Sequence, residues 1–275
     1  MNKEVKIANF SISNNKKISF ILGPCQIENE ETTFKIAESI DKICKKLRIN
    51  FVFKSSFDKA NRSSISGGRG IGLEKGLEIL TKIKGKFKCP ILTDVHNPED
   101  CNKISKVVDI IQIPAFLCRQ TDLILAAAET NLPLNIKKGQ FLSPWEMENV
   151  IEKINSKNNF KIMLCERGTF FGYNNLVADM RSLEIMKETS YPVVMDVTHC
   201  LQHPGGLGKS SGGNNKYIET MSRAATAVGI SAIFIETHLQ PDNSPSDSEV
   251  MLKLSKLENV LDQILKIDKV VKNFV

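Results

Sequence analysis

The sequence predicts an α/β protein, a (β/α)8 barrel of the TIM-barrel class with a short N-terminal β-hairpin. Three observations carry this expectation. Eight strand-length apolar runs alternate with helix-length amphipathic stretches over 275 residues. Most of those runs are apolar nearly throughout, as parallel strands covered on both faces are. At or near the end of each run stands a polar residue: Cys25, Lys54, Asp94, Gln112, Lys137, Arg167, His199 and Glu236. In a barrel of this kind the C-terminal strand ends carry the active site.

The elements follow in order. Residues 6–10 and 18–22 are strand-like around Asn14-Asn15, a turn signal, and predict a hairpin leading into a first core strand over 18–25. Phe34, Ala37, Ile40, Ile43, Cys44 and Leu47 recur at helical spacing and predict a helix over 30–48. Further strands are expected at 51–57, 90–95, 110–116, 132–137, 161–165, 192–197 and 232–237. Helices are expected at 73–84, 98–107, 121–130, 144–154, 179–188, 216–228 and 247–267. No linker, repeat or charge block divides the chain, so residues 1–275 are expected to form one barrel domain.

The bulk numbers exclude several classes. Hydrophobic content is 41% and charged content 25%, ordinary for a globular protein. The net charge of +6 is mild, and the lysines are spread without a basic block or aromatic interleaving, which argues against nucleic acid. No apolar run is long enough to span a membrane, and the N-terminus lacks the apolar core of a signal peptide. Seven cysteines, an odd number without any Cys-x-x-Cys, predict reduced thiols and a cytoplasmic location.

Three groups carry chemistry. The first is cationic. Lys54, Lys59 and Arg62 lie in one polar loop with Asn61, Ser63 and Ser64, and Lys137 and Arg167 end later strands. On one rim these five cations repel one another and depress lysine pKa values unless anions are present, so a ligand with at least two anionic groups is implied. A solvated loop is the plain alternative for 54–64. The second group is Cys25, His199, Glu236 and Asp247, whose thiolate, imidazole and carboxylates suit a divalent transition metal such as Zn, Fe, Mn or Co. Each member also has an ordinary explanation: a small buried thiol, a hydrogen-bonded histidine, an ion-pair partner of a rim lysine, and a helix N-cap. First and last strands are neighbours in a closed barrel, which brings the four together. The third is the loop 203–213, with five glycines in eleven residues, either a lid over the site or a plain long loop. Asp94, His96 and His238 are expected on the rim, Cys44 and Cys101 in the core, and Trp145 packed at a helix start.

Taken together, these residues resemble the 3-deoxy-D-manno-octulosonate 8-phosphate synthase family over nearly the whole chain. The matching stretches include Gly23-Pro24-Cys25, the run from Lys54 to Ser64, Thr93-Asp94-Val95-His96, and Gln112-Ile113-Pro114-Ala115-Phe116 with Arg119-Gln120-Thr121-Asp122. They continue through Lys137-Lys138-Gly139-Gln140-Phe141, Glu166-Arg167-Gly168, Asp196-Val197-Thr198-His199 and Glu236-Thr237-His238. The resemblance implies a homotetrameric barrel enzyme. It would condense phosphoenolpyruvate with D-arabinose 5-phosphate and water, for lipopolysaccharide core synthesis. By the match, Lys54, Lys59, Gln112, Lys137 and Arg167 hold phosphoenolpyruvate, with the backbone of Ala115 and Phe116 near its phosphate. Asn61, Arg62 and Ser63 hold the sugar phosphate, and Arg119 reaches that of a neighbouring subunit. Asp94 or His199 moves protons. Cys25, where other members have Asn, implies the metal-dependent class, with His199, Glu236 and Asp247 as fellow ligands. Asn214-Asn215 departs from the arginine many members carry after the glycine loop, and Asn29 replaces a common serine without evident consequence.

Overall fold

The computed structural model describes residues 2–60, 68–206 and 212–273. Its barrel strands are β1 (Ser19–Gly23), β2 (Phe51–Lys54), β3 (Ile91–Asp94), β4 (Ile110–Ile113), β5 (Leu134–Lys137), β6 (Ile162–Glu166), β7 (Val193–Asp196) and β8 (Ala232–His238). All pair in parallel with their neighbours in sequence, and β8 pairs with both β7 and β1, which closes the sheet into a barrel. Around it lie α1 (Glu30–Leu47), α2 (Leu73–Phe87), α3 (Pro98–Ser105), α4 (Thr121–Glu129), α5 (Met147–Asn155), α6 (Met180–Glu188), α7 (Ile218–Ala227) and α8 (Leu254–Val271). Each helix buries an apolar stripe on the outer face of the sheet, as Ile36, Ile40 and Cys44 of α1 do. Asn29 has a role the sequence did not reveal. It is the N-cap of α1, its Oδ1 accepting from the Thr32 N–H at 2.8 Å.

The inner face explains the polar rim. Side chains alternate across a strand, so every second residue points into the barrel. Ile21, Val52, Leu92, Ile110, Met163, Val194 and Phe234 form the inner apolar layer. Two residues further along β2, β3, β4, β7 and β8 come Lys54, Asp94, Gln112, Asp196 and Glu236. Six residues of the rim are therefore charged or amide groups held in register above an apolar floor, once Lys137 of β5 is included. At β1 this position is Gly23. A Cβ there would sit 1.8 Å from the Lys54 carbonyl oxygen, so only glycine permits this approach of β1 to β2.

Two expectations are corrected. The hairpin exists, but it pairs Val5–Ile7 with Phe10–Ile12, and its turn is at Ala8-Asn9, with Ala8 at φ 48°. Asn14 instead stands in for a strand partner at the start of β7. Its amide donates to the Tyr191 carbonyl and accepts from the Val193 N–H, each at 2.9 Å. Val5, Ile7 and Ile12 of the hairpin join the inner apolar layer and stopper the barrel floor. The last helix starts at Leu254 rather than 247, so Asp247 is not its N-cap. Asp247 takes φ 55° ahead of the 3-10 turn Ser248–Val250, and the short strand Leu252–Lys253 then pairs with the end of β8. The tether to β8 holds Asp247 at the barrel mouth.

Candidate active site

The rim cations are neutralised by the protein's own carboxylates. Lys54 Nζ lies 2.6 Å from Glu236 Oε1 and donates to the Cys25 carbonyl at 2.9 Å. Lys137 Nζ lies 2.6 Å from Asp196 Oδ2. Both lysines and both carboxylates are buried. Lys59 donates to Ser56 Oγ at 3.0 Å, and Ser56 in turn donates to Asp94 Oδ1. His96 Nε2 is 3.0 Å from the other Asp94 oxygen. The expected depression of lysine pKa does not occur at Lys59. Burial lowers it, but neighbouring anions, the Glu236, Asp94 and Asp247 carboxylates among them, outweigh burial and raise it above the ordinary lysine value. Burial would raise the Asp94 carboxyl, yet His96, Lys59 and Lys54 hold it well below the usual carboxylate range. Burial at Asp196 is likewise outweighed by His199 and Lys137.

Arg167 is different. Its Nη2 donates to Gln202 Oε1 at 2.5 Å, but its Nη1 is buried without a hydrogen-bond partner among the described residues. A guanidinium is donor-only, and leaving such a donor dry costs about 1–3 kcal/mol or more. Its backbone is firmly set. The side chain of Glu166, which faces outward from β6, accepts from the N–H groups of Arg167 and Gly168 at 3.0 and 2.6 Å and from Ser182 Oγ at 2.6 Å. Gly168 takes φ 92°, where a side chain would be strained. The arrangement leaves the cationic Nη1 unpaired among the described residues, a group that suits an anion.

Cys25, Glu236 and Asp247 offer ligand atoms within 4.8 Å of one another. His199 faces them, its Nε2 at 3.3 Å from Glu236 Oε2 and 3.8 Å from Asp247 Oδ2. Its Nδ1 lies 2.6 Å from Asp196 Oδ2, an orientation in which Nδ1–H donates to the carboxylate and Nε2 presents a lone pair. A lone pair facing two carboxylate oxygens is repulsive unless a cation, a proton or a metal ion, lies between them. Glu236 Oε2 is also buried without a hydrogen-bond partner among the described residues. Burial, then Asp247 and Glu236, push the Cys25 thiol well up, and its S–H donates to Asp247 Oδ2 at 3.0 Å. One soft and two hard donors with an imidazole fit a divalent transition metal.

A family model described as the DAHP synthetase I family matches residues 2–273. The chain belongs to that family. Among the relatives of this DAHP synthetase I chain, a protein of Rickettsia prowazekii (strain Madrid E) is 54% identical over 275 residues, covering 100% of both chains. One of Rickettsia canadensis (strain McKiel) is 53% identical over 272 residues, 99% of each chain. One of Bartonella bacilliformis (strain ATCC 35685 / KC583 / Herrer 020/F12,63) is 53% identical over 99% of this chain and 96% of its own. All three are named 2-dehydro-3-deoxyphosphooctonate aldolase.

In this family member the expected site residues fall into three sets. Cys25, Lys54, Lys59, Asp94, Gln112, Lys137, Arg167, His199, Glu236 and Asp247 converge at the C-terminal mouth through the contacts above, with Gln112 accepting from Asn135 Nδ2 at 2.9 Å. Ala115 and Phe116 form a 3-10 turn just beyond β4, and Arg119 is exposed before α4. Asn61, Arg62 and Ser63 lie outside the described residues, as does the middle of the glycine loop, 207–211. The stem of that loop is described: Gln202–His203 pairs antiparallel with Gly212–Gly213. Trp145 is a correction. It is 61% exposed rather than packed. Asp196 and Gln202 were not singled out from sequence, although Asp196 occupies the same inward position on β7 that Lys54 occupies on β2.

Proposed function

We propose that this chain condenses phosphoenolpyruvate with D-arabinose 5-phosphate and water, giving 3-deoxy-D-manno-octulosonate 8-phosphate and inorganic phosphate for the lipopolysaccharide core. The observation that carries the proposal is the Nη1 of buried Arg167, unpaired among the described residues, on a rim that also holds Lys54 and Lys137. Such a dry, preorganised cationic group suits phosphate or carboxylate. The name shared by the relatives supports the eight-carbon product.

In this proposal Lys54, Lys59, Gln112, Lys137 and Arg167 bind phosphoenolpyruvate, with the backbone of Ala115 and Phe116 beside its phosphate. Asn61, Arg62 and Ser63 hold the sugar phosphate. Holding the two substrates face to face converts a bimolecular reaction into a local one. Carbon 3 of phosphoenolpyruvate attacks the aldehyde carbon, water adds at carbon 2, and phosphate leaves with cleavage of its C–O bond. Asp94, held well below the usual range, stays ionised and keeps Ser56 and Lys59 in place. Asp196 fixes both Lys137 and the ring of His199. Cys25, His199, Glu236 and Asp247 would hold a divalent metal (Zn, Fe, Mn or Co), which when bound supplies Lewis-acid or template chemistry.

The proposal extends to a single-domain, cytoplasmic homotetramer. All seven cysteines are free and buried, as expected of a reducing compartment, and no helix among the described residues is long and apolar enough to cross a membrane. Phe116, Phe141, Trp145, Phe171 and Tyr173 are exposed aromatics suited to subunit contacts, and Arg119 would reach from one subunit to the neighbouring sugar phosphate. The test is phosphate release from phosphoenolpyruvate with arabinose 5-phosphate or erythrose 4-phosphate, with and without chelator. Release with the five-carbon sugar, lost on chelation and restored by metal, is expected. Release only with erythrose 4-phosphate would overturn the substrate assignment.

A further inference from the structure

Gln202 bridges the anion site and the metal-ligand set. Its Oε1 accepts from Arg167 Nη2 at 2.5 Å, and its Nε2 donates to Asp247 Oδ1 at 2.7 Å. The amide can stand only this way round, because a guanidinium only donates and a carboxylate only accepts. Arg167 Nη1 is buried without a partner among the described residues, and Asp247 Oδ2 accepts from Cys25 Sγ at 3.0 Å. One side chain thus fixes the orientation of an anion-binding group and of a candidate metal ligand.

The bridge is also built into the glycine-loop stem. Gln202 pairs with Gly213 across that two-stranded ladder. A Cβ on Gly213 would sit 2.1 Å from Val250 and 2.9 Å from the Leu201 carbonyl oxygen, so the stem is pressed against the 3-10 turn that follows Asp247. Gln202 therefore cannot shift toward Arg167 without moving relative to Asp247.

We propose that Gln202 is a positioning residue that couples the two sites: an anion on Arg167 orders Gln202, which orders Asp247 for the metal, and the metal does the reverse. The proposal rests on the metal and phosphoenolpyruvate reading above. Coupling of this kind is reciprocal in binding free energy, and such linkages are commonly fivefold or more.

The experiment is a Co2+ titration of the metal-stripped full chain, followed by the thiolate-to-metal absorption of Cys25, with and without phosphoenolpyruvate. In the unsubstituted protein phosphoenolpyruvate should tighten Co2+ about fivefold or more. Gln202→Leu, which removes both bonds, should bring that ratio to near one while each ligand still binds. Gln202→Glu keeps the acceptor for Arg167 but sets a carboxylate against Asp247. It should weaken Co2+ more than phosphoenolpyruvate, and it serves if the leucine variant does not fold. A ratio that is the same in the unsubstituted protein and the variants, or is near one in the unsubstituted protein, overturns the coupling and leaves the metal reading standing. Absence of any thiolate-to-Co2+ band overturns the metal reading and the coupling with it.

Discussion

Asp196→Asn removes one negative charge from the most enclosed part of the rim. The amide is nearly isosteric, and its oxygen still accepts the backbone N–H groups of Thr198 and His199, which lie 3.1 and 2.8 Å from Asp196 Oδ1. What is lost is the counter-ion of Lys137, buried at 2.6 Å, and the acceptor for His199 Nδ1. Breaking a buried ion pair by removing one partner costs about 3–5 kcal/mol, because the surviving charge stays desolvated. At the lower bound, a chain of this size should lose roughly 6–12 °C in melting temperature. Lys137→Met should cost a similar amount, since it strands Asp196. The double variant should be less destabilised than the sum of the two, as neither charge is then left alone. Thermal and denaturant unfolding of the four proteins measures this cycle. Strictly additive losses, or a loss under about 1 kcal/mol for Asp196→Asn, would refute the claim that Lys137 depends on Asp196.

Other predictions follow from the same geometry. Burial is outweighed at Asp94 and Asp196, so their native carboxyl pKa values are depressed; the stability they add is present above the unfolded value of about 4 and is lost as pH falls through the native values. Unfolding should therefore become steadily easier below about pH 4, and Asp196→Asn should flatten that acid limb in a pH series. Gly23→Ala places a Cβ against the Lys54 carbonyl and should abolish soluble folded protein or lower its melting temperature more than Asp196→Asn does. Cys25→Asn should lower bound metal per chain, read by elemental analysis, because it removes the one soft donor of the set. Trp145→Asp with Tyr173→Asp, both at exposed aromatics, should shift the assembly toward smaller species in size-exclusion chromatography with light scattering.

The barrel was legible because its signals are local and repeated: an apolar strand, then an amphipathic helix, eight times over. The converging rim was legible too, since period-two alternation from an apolar residue such as Val52 or Phe234 lands on Lys54 or Glu236. The hairpin turn was misplaced because Asn14-Asn15 carries turn chemistry, whereas the actual turn uses Ala8, an unusual residue at positive φ. Asn14 uses its amide on Tyr191 and on Val193 of strand β7, contacts 177 and 179 residues away in the chain. Asp196 and Gln202 were missed for a related reason. Their partners lie on other strands and loops, and a single carboxylate or amide at a strand end looks like ordinary solvent-facing polarity until the sheet is closed. Asp247 was placed at the mouth, but the alternative that it caps the last helix fails, since its position depends on the short strand pairing to β8 rather than on the helix that follows.

The pairing of phosphoenolpyruvate with a five-carbon sugar phosphate is tested most directly by competition. Purified protein supplied with metal, phosphoenolpyruvate and equal amounts of arabinose 5-phosphate and erythrose 4-phosphate should yield the eight-carbon sugar acid phosphate as the dominant new mass in a mass spectrum. A seven-carbon product in excess, or no condensation product from either sugar, would contradict the assignment.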